Sequence, residues 1–217
     1  MQASLGAPPL RFRALGAQPS RAFATPTIEL WVEIACEAPY EIRAIALNVE
    51  VRIAAQRRRY ETQERERLFD LFGEPSQWQQ SLRSVQWMRA SVNVASFAGS
   101  TVIEIPLPCS YDFDVAAAKY LAALEDGEIP VDVLFSGTVF YDDGAGRLQS
   151  AMIPWESEAT FRITVAMWRK AVDAAFPESA WLRVSRTMLA RLHTYRSSHA
   201  HLDWDETLAD LLENARG

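Results

Sequence analysis

Two long runs of alternating side chains constrain the fold of this chain more than any other feature. In residues 27–35 and again in residues 45–53, an apolar side chain occupies every second position. A period of two is typical of a β-strand with one buried face, whereas the apolar residues of a helix recur at intervals of three and four. The two runs therefore predict half-buried strands in antiparallel sheets.

The same pattern continues through most of the first three-quarters of the chain. An Asp- and Gly-rich loop at residues 142–146 separates two of the alternating runs, which indicates a β-hairpin. Further strands are expected at residues 10–14, 84–94, 100–107, 131–141, 147–153 and 159–165.

Two short helices are expected to interrupt these strands. Near residues 61–73, a charged segment leads into an apolar helical face, and Gly73 ends it. Near residues 113–126, an alanine-rich run has high helix propensity, and Asp112 or Asp114 can cap its start. We interpret both helices as insertions between strands.

The period becomes helical after Val165. Apolar residues then recur at three and four, and Asp203 followed by Glu206 resembles a capping box at the start of the last helix. The sequence thus predicts a mainly β (α+β) chain: an antiparallel β-sandwich with Ig-like or C2-like packing over residues 1–165. We expect residues 166–217 to be helical and packed on it as one compact unit. An open sheet covered by helices on one face is the alternative.

Charge and composition exclude several classes of partner. The formal net charge is −6 with a pI near 5.2, which argues against binding to nucleic acid or to an anionic membrane, since both call for a basic surface. No run of 18 uncharged apolar residues and no secretory signal are evident, so we expect a cytoplasmic protein with no membrane segment. The two cysteines are too few for a disulfide framework or a zinc motif.

Motifs of known chemistry are absent from the sequence, and no cofactor is predicted. The one cluster of metal-ligand type is His199, His201 and Asp203, because alternate histidines in an extended segment can reach one ion and a carboxylate can add an oxygen. The alternative is an exposed polar loop in which Asp203 caps the last helix.

The seven tryptophans suggest an interaction surface. Trp31 alternates onto the face opposite the buried stripe of its strand, so it forms an exposed apolar patch if nothing covers that face. Trp87 is the second candidate for such a surface. The alternative is that these rings belong to the core or to sheet–helix packing.

Several short segments resemble one bacterial family of about this length. They are residues 57–60 (RRRY), 71–75 (LFGEP), 108–113 (PCSYDF), 116–120 (AAAKY) and 134–141 (LFSGTVFY). The genes of that family are associated with operons for nickel–iron hydrogenases of actinobacterial type. The resemblance implies a cytoplasmic accessory role, and it implies no activity, cofactor or catalytic residue.

These observations favour a non-enzymatic protein that binds another protein, with a hydrogenase component undergoing assembly or maturation as the candidate partner. Two alternatives stay open. One is a metal-binding protein or enzyme that uses the His199, His201 and Asp203 loop. The other is a carrier that holds a small molecule between sheet and helices.

Overall fold

In the part of the chain that the structure describes, eight strands form two antiparallel sheets, as the alternating runs predict. The computed structural model describes residues 7–23, 25–37, 40–109, 115–143, 145–175 and 184–215. The chain divides into two compact units, Met1–Ser179 and Ala180–Gly217. In chain order the strands are β1 (Leu10–Pro19), β2 (Thr27–Cys36), β3 (Glu41–Ile53), β4 (Val85–Val94), β5 (Ser100–Pro108), β6 (Glu128–Asp142), β7 (Leu148–Met152) and β8 (Glu158–Thr164).

The first sheet has the strand order β1-β2-β5, and the second has the order β4-β3-β6-β7 with β8 also paired to β6. Every pair is antiparallel. Strand β6 is long enough to hold β8 along its first half and β7 along its second half. The expected hairpin around residues 142–146 is therefore confirmed, and the Oδ1 of Asp143 closes it by accepting from the backbone N–H groups of Ala145 and Arg147.

The inner faces of the two sheets share one hydrophobic core. From the first sheet, the alternating residues Ile28, Leu30, Val32 and Ile34 of β2 are fully buried. Across the core, the ring of Phe12 on β1 stacks on the ring of Phe135 on β6 at 4.2 Å between centroids. The sandwich-like arrangement of two antiparallel sheets with added helices, expected from the sequence, is thus confirmed.

Short helices lie between the strands. They are α1 (Thr62–Arg67), α2 (Phe69–Phe72), α3 (Trp78–Ser81) and α4 (Val115–Ala123). The segment expected near 61–73 is split into two helices at Leu68, and Gly73 follows it with a φ of +70°, which L-residues rarely adopt. The proposed N-caps Asp112 and Asp114 lie outside the described residues.

Three helices follow β8 among the described residues. Helix α5 (Val165–Ala175) packs against β1, β2 and β8 in the first unit. Helices α6 (Arg186–Ser198) and α7 (Trp204–Asn214) form the described part of the second unit and contact each other. The packing of the later helices on the sandwich stays a prediction. In the described part of the chain, none of the helices is long and apolar enough to cross a membrane.

A buried ion pair fixes the inserted segment to the sheet. A guanidinium nitrogen of Arg58 donates to the Glu64 carboxylate at 2.5 Å, and the Arg58 side chain also donates to the backbone carbonyls of Asp126 and Glu128. Glu64 is 1% exposed, and its carboxylate additionally accepts from the backbone N–H of Glu125. The pair thus ties the segment before α1 to the connection between α4 and β6.

Replacement of Glu64 with alanine should destabilise the protein strongly. The change leaves the Arg58 guanidinium buried without its carboxylate, which costs about 3–5 kcal/mol in comparable pairs. Urea unfolding of Glu64→Ala measures the loss, and Glu66→Ala on the exposed face of the same helix is the control. Equal unfolding midpoints for the two variants would show that the pair contributes little.

Candidate interaction surface

Trp31 lies on the outer face of the first sheet, in the middle strand. The residues on either side of it, Leu30 and Val32, point into the core, so the period of two directs Trp31 outward. Its cross-strand neighbours are Gly16 on β1 and Glu104 on β5. The outward direction expected for Trp31 from the alternation is what the structure shows.

The ring of Trp31 is held on both sides. On one side the ring lies beside Gly16, where a Cβ would be in ordinary van der Waals contact at 3.6 Å from Trp31 Cε3. On the other side, the indole N–H donates to Oε1 of Glu104 at 3.1 Å. The half-buried indole is therefore positioned between its two neighbouring strands.

Carboxylates surround the indole. Glu29 accepts from the Ser20 hydroxyl, and Glu33 forms an ion pair of 2.9 Å with Arg13. Two aliphatic residues, Leu15 and Val102, are exposed on the strands that flank β2. We call this set the Trp31 face: Leu15, Gly16, Glu29, Trp31, Glu33, Val102 and Glu104.

The chemistry of the Trp31 face suits a cation. An indole ring attracts an ammonium or guanidinium group through its quadrupole, and neighbouring carboxylates attract the same charge. Tryptophan is also among the residues that contribute most to binding energy at protein interfaces. The face can therefore hold a lysine or arginine side chain of a partner.

Trp87 does not belong to such a surface, and that part of the interaction hypothesis was wrong. Its side chain is 2% exposed, and its indole N–H donates to the backbone carbonyl of Pro108 at 2.7 Å. The pairing of β3 with β4 shifts register between Met88 and Gln86, so Trp87 is the extra residue of a bulge and is buried. Its hydrogen bond links the second sheet to the end of the first.

The predicted metal loop lies between α6 and α7. His199 Nδ1 lies 3.0 Å from the Tyr195 carbonyl, and its ring stacks on the Tyr195 ring. Asp203 Oδ1 accepts from the backbone N–H of Glu206, which makes it the N-cap of α7. The His199 and His201 ring centroids are 5.6 Å apart.

Among the described residues, no group of three His, Cys, Asp or Glu side chains is placed to hold a metal ion. The structure therefore brings His199 and His201 near each other but uses Asp203 for capping. A metal site in this loop stays a prediction, which elemental analysis of the purified protein tests directly.

Asp210 joins the two helices of this unit. The Tyr195 hydroxyl donates to its Oδ2 at 2.6 Å, and His201 Nε2 lies 3.8 Å from the same oxygen. The Tyr195 hydrogen bond is the main reason that the pKa of Asp210 is lowered. Because the folded pKa of Asp210 is lowered, this carboxylate stabilises the pair of helices α6 and α7 at pH values above the ordinary Asp pKa. The stabilisation is lost as the pH falls through the folded pKa.

Tyr195→Phe should raise the pKa of Asp210 toward its ordinary range, because the variant removes the donated hydrogen bond and keeps the ring. The measurement is the pH titration of the Asp210 carboxyl carbon by NMR. An unchanged midpoint in the variant would mean that the Tyr195 hydroxyl does not bind this carboxylate in solution.

Sequence reasoning missed a second exposed apolar region, at β7 and the turn that follows it. Trp155 is 83% exposed, and Leu148 and Met152 on β7 are 63% and 71% exposed. In the sequence, Trp155 directly follows Pro154 and lies outside any alternating run, which indicates a turn.

Two grooves on the first unit bear on the carrier hypothesis. One, of about 410 Å³, lies on the outer face of the second sheet and includes Asn48, Glu50, Arg89 and Ser91. The other, of about 680 Å³, lies beside α5 and is lined by Glu125, Asp126, Ala166, Arg169, Lys170, Asp173 and Ala174. Both carry charged linings, whereas small-molecule sites are mostly apolar.

Comparisons with known proteins give a family but no activity. The model of a family of unknown function (DUF6084) matches residues 7–217. No curated protein matches the sequence. Among solved structures, a late embryogenesis abundant (LEA) protein determined in solution is 12% identical over 73% of this chain and 72% of that chain. The TM-score is 0.36, which is too low for the two folds to be equated.

Proposed function

The chain belongs to this family of unknown function, and from that premise we propose that it is a non-enzymatic protein that docks another protein on the Trp31 face. The observation that supports the proposal is the position of the Trp31 indole on an outer sheet face, where it lies beside Gly16 and donates a hydrogen bond to Glu104. A fixed aromatic ring loses little conformational entropy on binding, so it is suited to act as an anchor.

The partner that fits this face presents a segment with lysine or arginine. Three glutamates and one indole converge there, and the chain as a whole carries a net charge of −6. Both features favour the approach of a basic segment over an acidic one. Arg13 already forms an ion pair with Glu33, so Glu29 and Glu104 are the glutamates of the Trp31 face that have no basic partner in the described structure.

The candidate partner is a component of a nickel–iron hydrogenase in the cytoplasm. This identification rests on the family resemblance, which associates the genes with hydrogenase operons. The role would be assistance in the assembly or maturation of that enzyme.

Trp31→Ala should weaken partner binding strongly. Loss of an anchor tryptophan costs about 2 kcal/mol or more, which is roughly a thirtyfold loss of affinity. The measurement is quantitative co-purification from the native host, in which hydrogenase components recovered by the wild type are compared with those recovered by Trp31→Ala. Phe69→Ala, which removes an exposed aromatic ring on α2, is the matched control.

Equal recovery of the hydrogenase components by Trp31→Ala and by the control would contradict docking at this face. If neither the wild type nor the control recovers hydrogenase components, the proposed partner is contradicted. Unfolding of each variant in urea establishes that differences in recovery do not come from misfolding.

Glu104→Gln separates the charge of the face from the position of the indole. The amide oxygen of glutamine can still accept the Trp31 N–H, but the negative charge is lost. We expect weaker binding of the basic segment, with a weaker dependence of affinity on salt. Unchanged affinity at low salt would show that the carboxylate does not contact the partner.

A further inference from the structure

Strand β7 has a free edge. Within the described residues it pairs with β6 alone, and the backbone N–H of Ile153 donates to the carbonyl of Gly137 on that strand. Backbone groups of an antiparallel strand alternate in direction with a period of two. The N–H and C=O groups of Leu148, Ser150 and Met152 therefore point away from β6, toward the free edge.

This edge lacks the residues that normally prevent edge pairing. Natural edge strands carry charges or proline, which block the addition of another strand. Strands β1, β4, β5 and β8 each contain at least one such residue. Strand β7 has the sequence LQSAM, with no charge and no proline.

The outer face of β7 is apolar as well as exposed. Leu148 and Met152 are two of the most exposed apolar side chains of the first unit, and Ser150 lies between them on the same face. Met152 Sδ accepts from the Thr138 hydroxyl on β6, which places the Met152 side chain over the outer face of the second sheet. An unprotected edge beside exposed apolar side chains is typical of a site for strand addition.

We propose that a second copy of this chain pairs with β7, strand to strand and antiparallel, about a two-fold axis that passes beside Ser150. The outward backbone groups restrict the register, because only even-numbered residues can bond across this edge, and the register centred on Ser150 is the one that pairs Leu148, Ser150 and Met152 together. Ser150 then lies opposite Ser150 of the second copy, and Leu148 lies opposite Met152 of the second copy.

The outer face of the strand is self-complementary in this register, which favours a second copy over an unrelated partner. Apolar, polar and apolar side chains follow one another at Leu148, Ser150 and Met152, so a two-fold rotation matches apolar with apolar and polar with polar. An isologous interface requires this property. The second sheet of one copy and the second sheet of the other then form one continuous sheet.

The dimer leaves the Trp31 face free, because that face lies on the outer side of the first sheet. The inference is independent of the proposed function, and each can fail without the other. A five-residue strand is short for an interface, so the dimer is reversible and forms as the concentration rises.

Ser150→Cys tests the register. Opposite residues of a hydrogen-bonded antiparallel pair have Cα atoms about 5.5 Å apart, which is within the range of a disulfide. We expect mild oxidation to give a covalent dimer. Ser91→Cys, on the opposite edge strand β4, is the control and should give no covalent dimer, because β4 is not at the proposed interface. The native Cys36 and Cys109 are buried, and burial raises the pKa of the Cys109 thiol to about 12, so neither competes.

Ser150→Pro tests the edge itself. Proline removes an N–H that points away from β6, so the fold is retained, whereas strand addition is blocked. Sedimentation velocity should show concentration-dependent dimers for the wild type and for Ser150→Thr, with at least a tenfold weaker association for Ser150→Pro. A wild type that is monomeric at every concentration, or equal cross-linking of Ser150→Cys and Ser91→Cys, would overturn the proposal.

Discussion

The period of two in β2 is the constraint on which the rest of the structure depends. Leu30 and Val32 are fully buried against the second sheet, so Trp31 between them must face outward. A register slip of one residue would bury the indole with its neighbouring glutamates and expose the aliphatic stripe. The packing of the core and the composition of the Trp31 face are therefore two consequences of one alternation.

The buried ion pair of Arg58 and Glu64 complements this core at the edge of the sandwich. It holds the inserted helices against the connection from α4 to β6, where backbone carbonyls also bind the guanidinium. Nearby, the hydroxyls of Tyr60 and Tyr120 are 2.7 Å apart, and burial is the main cause that raises the pKa of Tyr120 to about 12. The RRRY segment is thus structural in part: Arg58 and Tyr60 serve the fold.

Much of the fold could be predicted from local pattern, because alternation and helical periodicity are properties of neighbouring residues. The strand order could not, because pairing such as β2 with β5 joins residues about 70 positions apart. The same limit explains why the direction of one tryptophan could be predicted and that of the other could not. Trp31 sits in an unbroken alternation and was placed correctly, whereas the direction of Trp87 depends on a bulge that only its pairing with β3 reveals. The open edge of β7 likewise follows from pairing and not from composition.

Binding of a basic segment by Trp31 can be followed at the Trp31 indole N–H resonance. The measurement is an NMR titration of the labelled protein with a short arginine-rich peptide, followed by the same titration with a glutamate-rich peptide of equal length. If Trp31 binds a basic segment, the arginine-rich peptide shifts the Trp31 resonance and leaves the buried Trp87 resonance in place. No shift of Trp31, or equal shifts with both peptides, would contradict it.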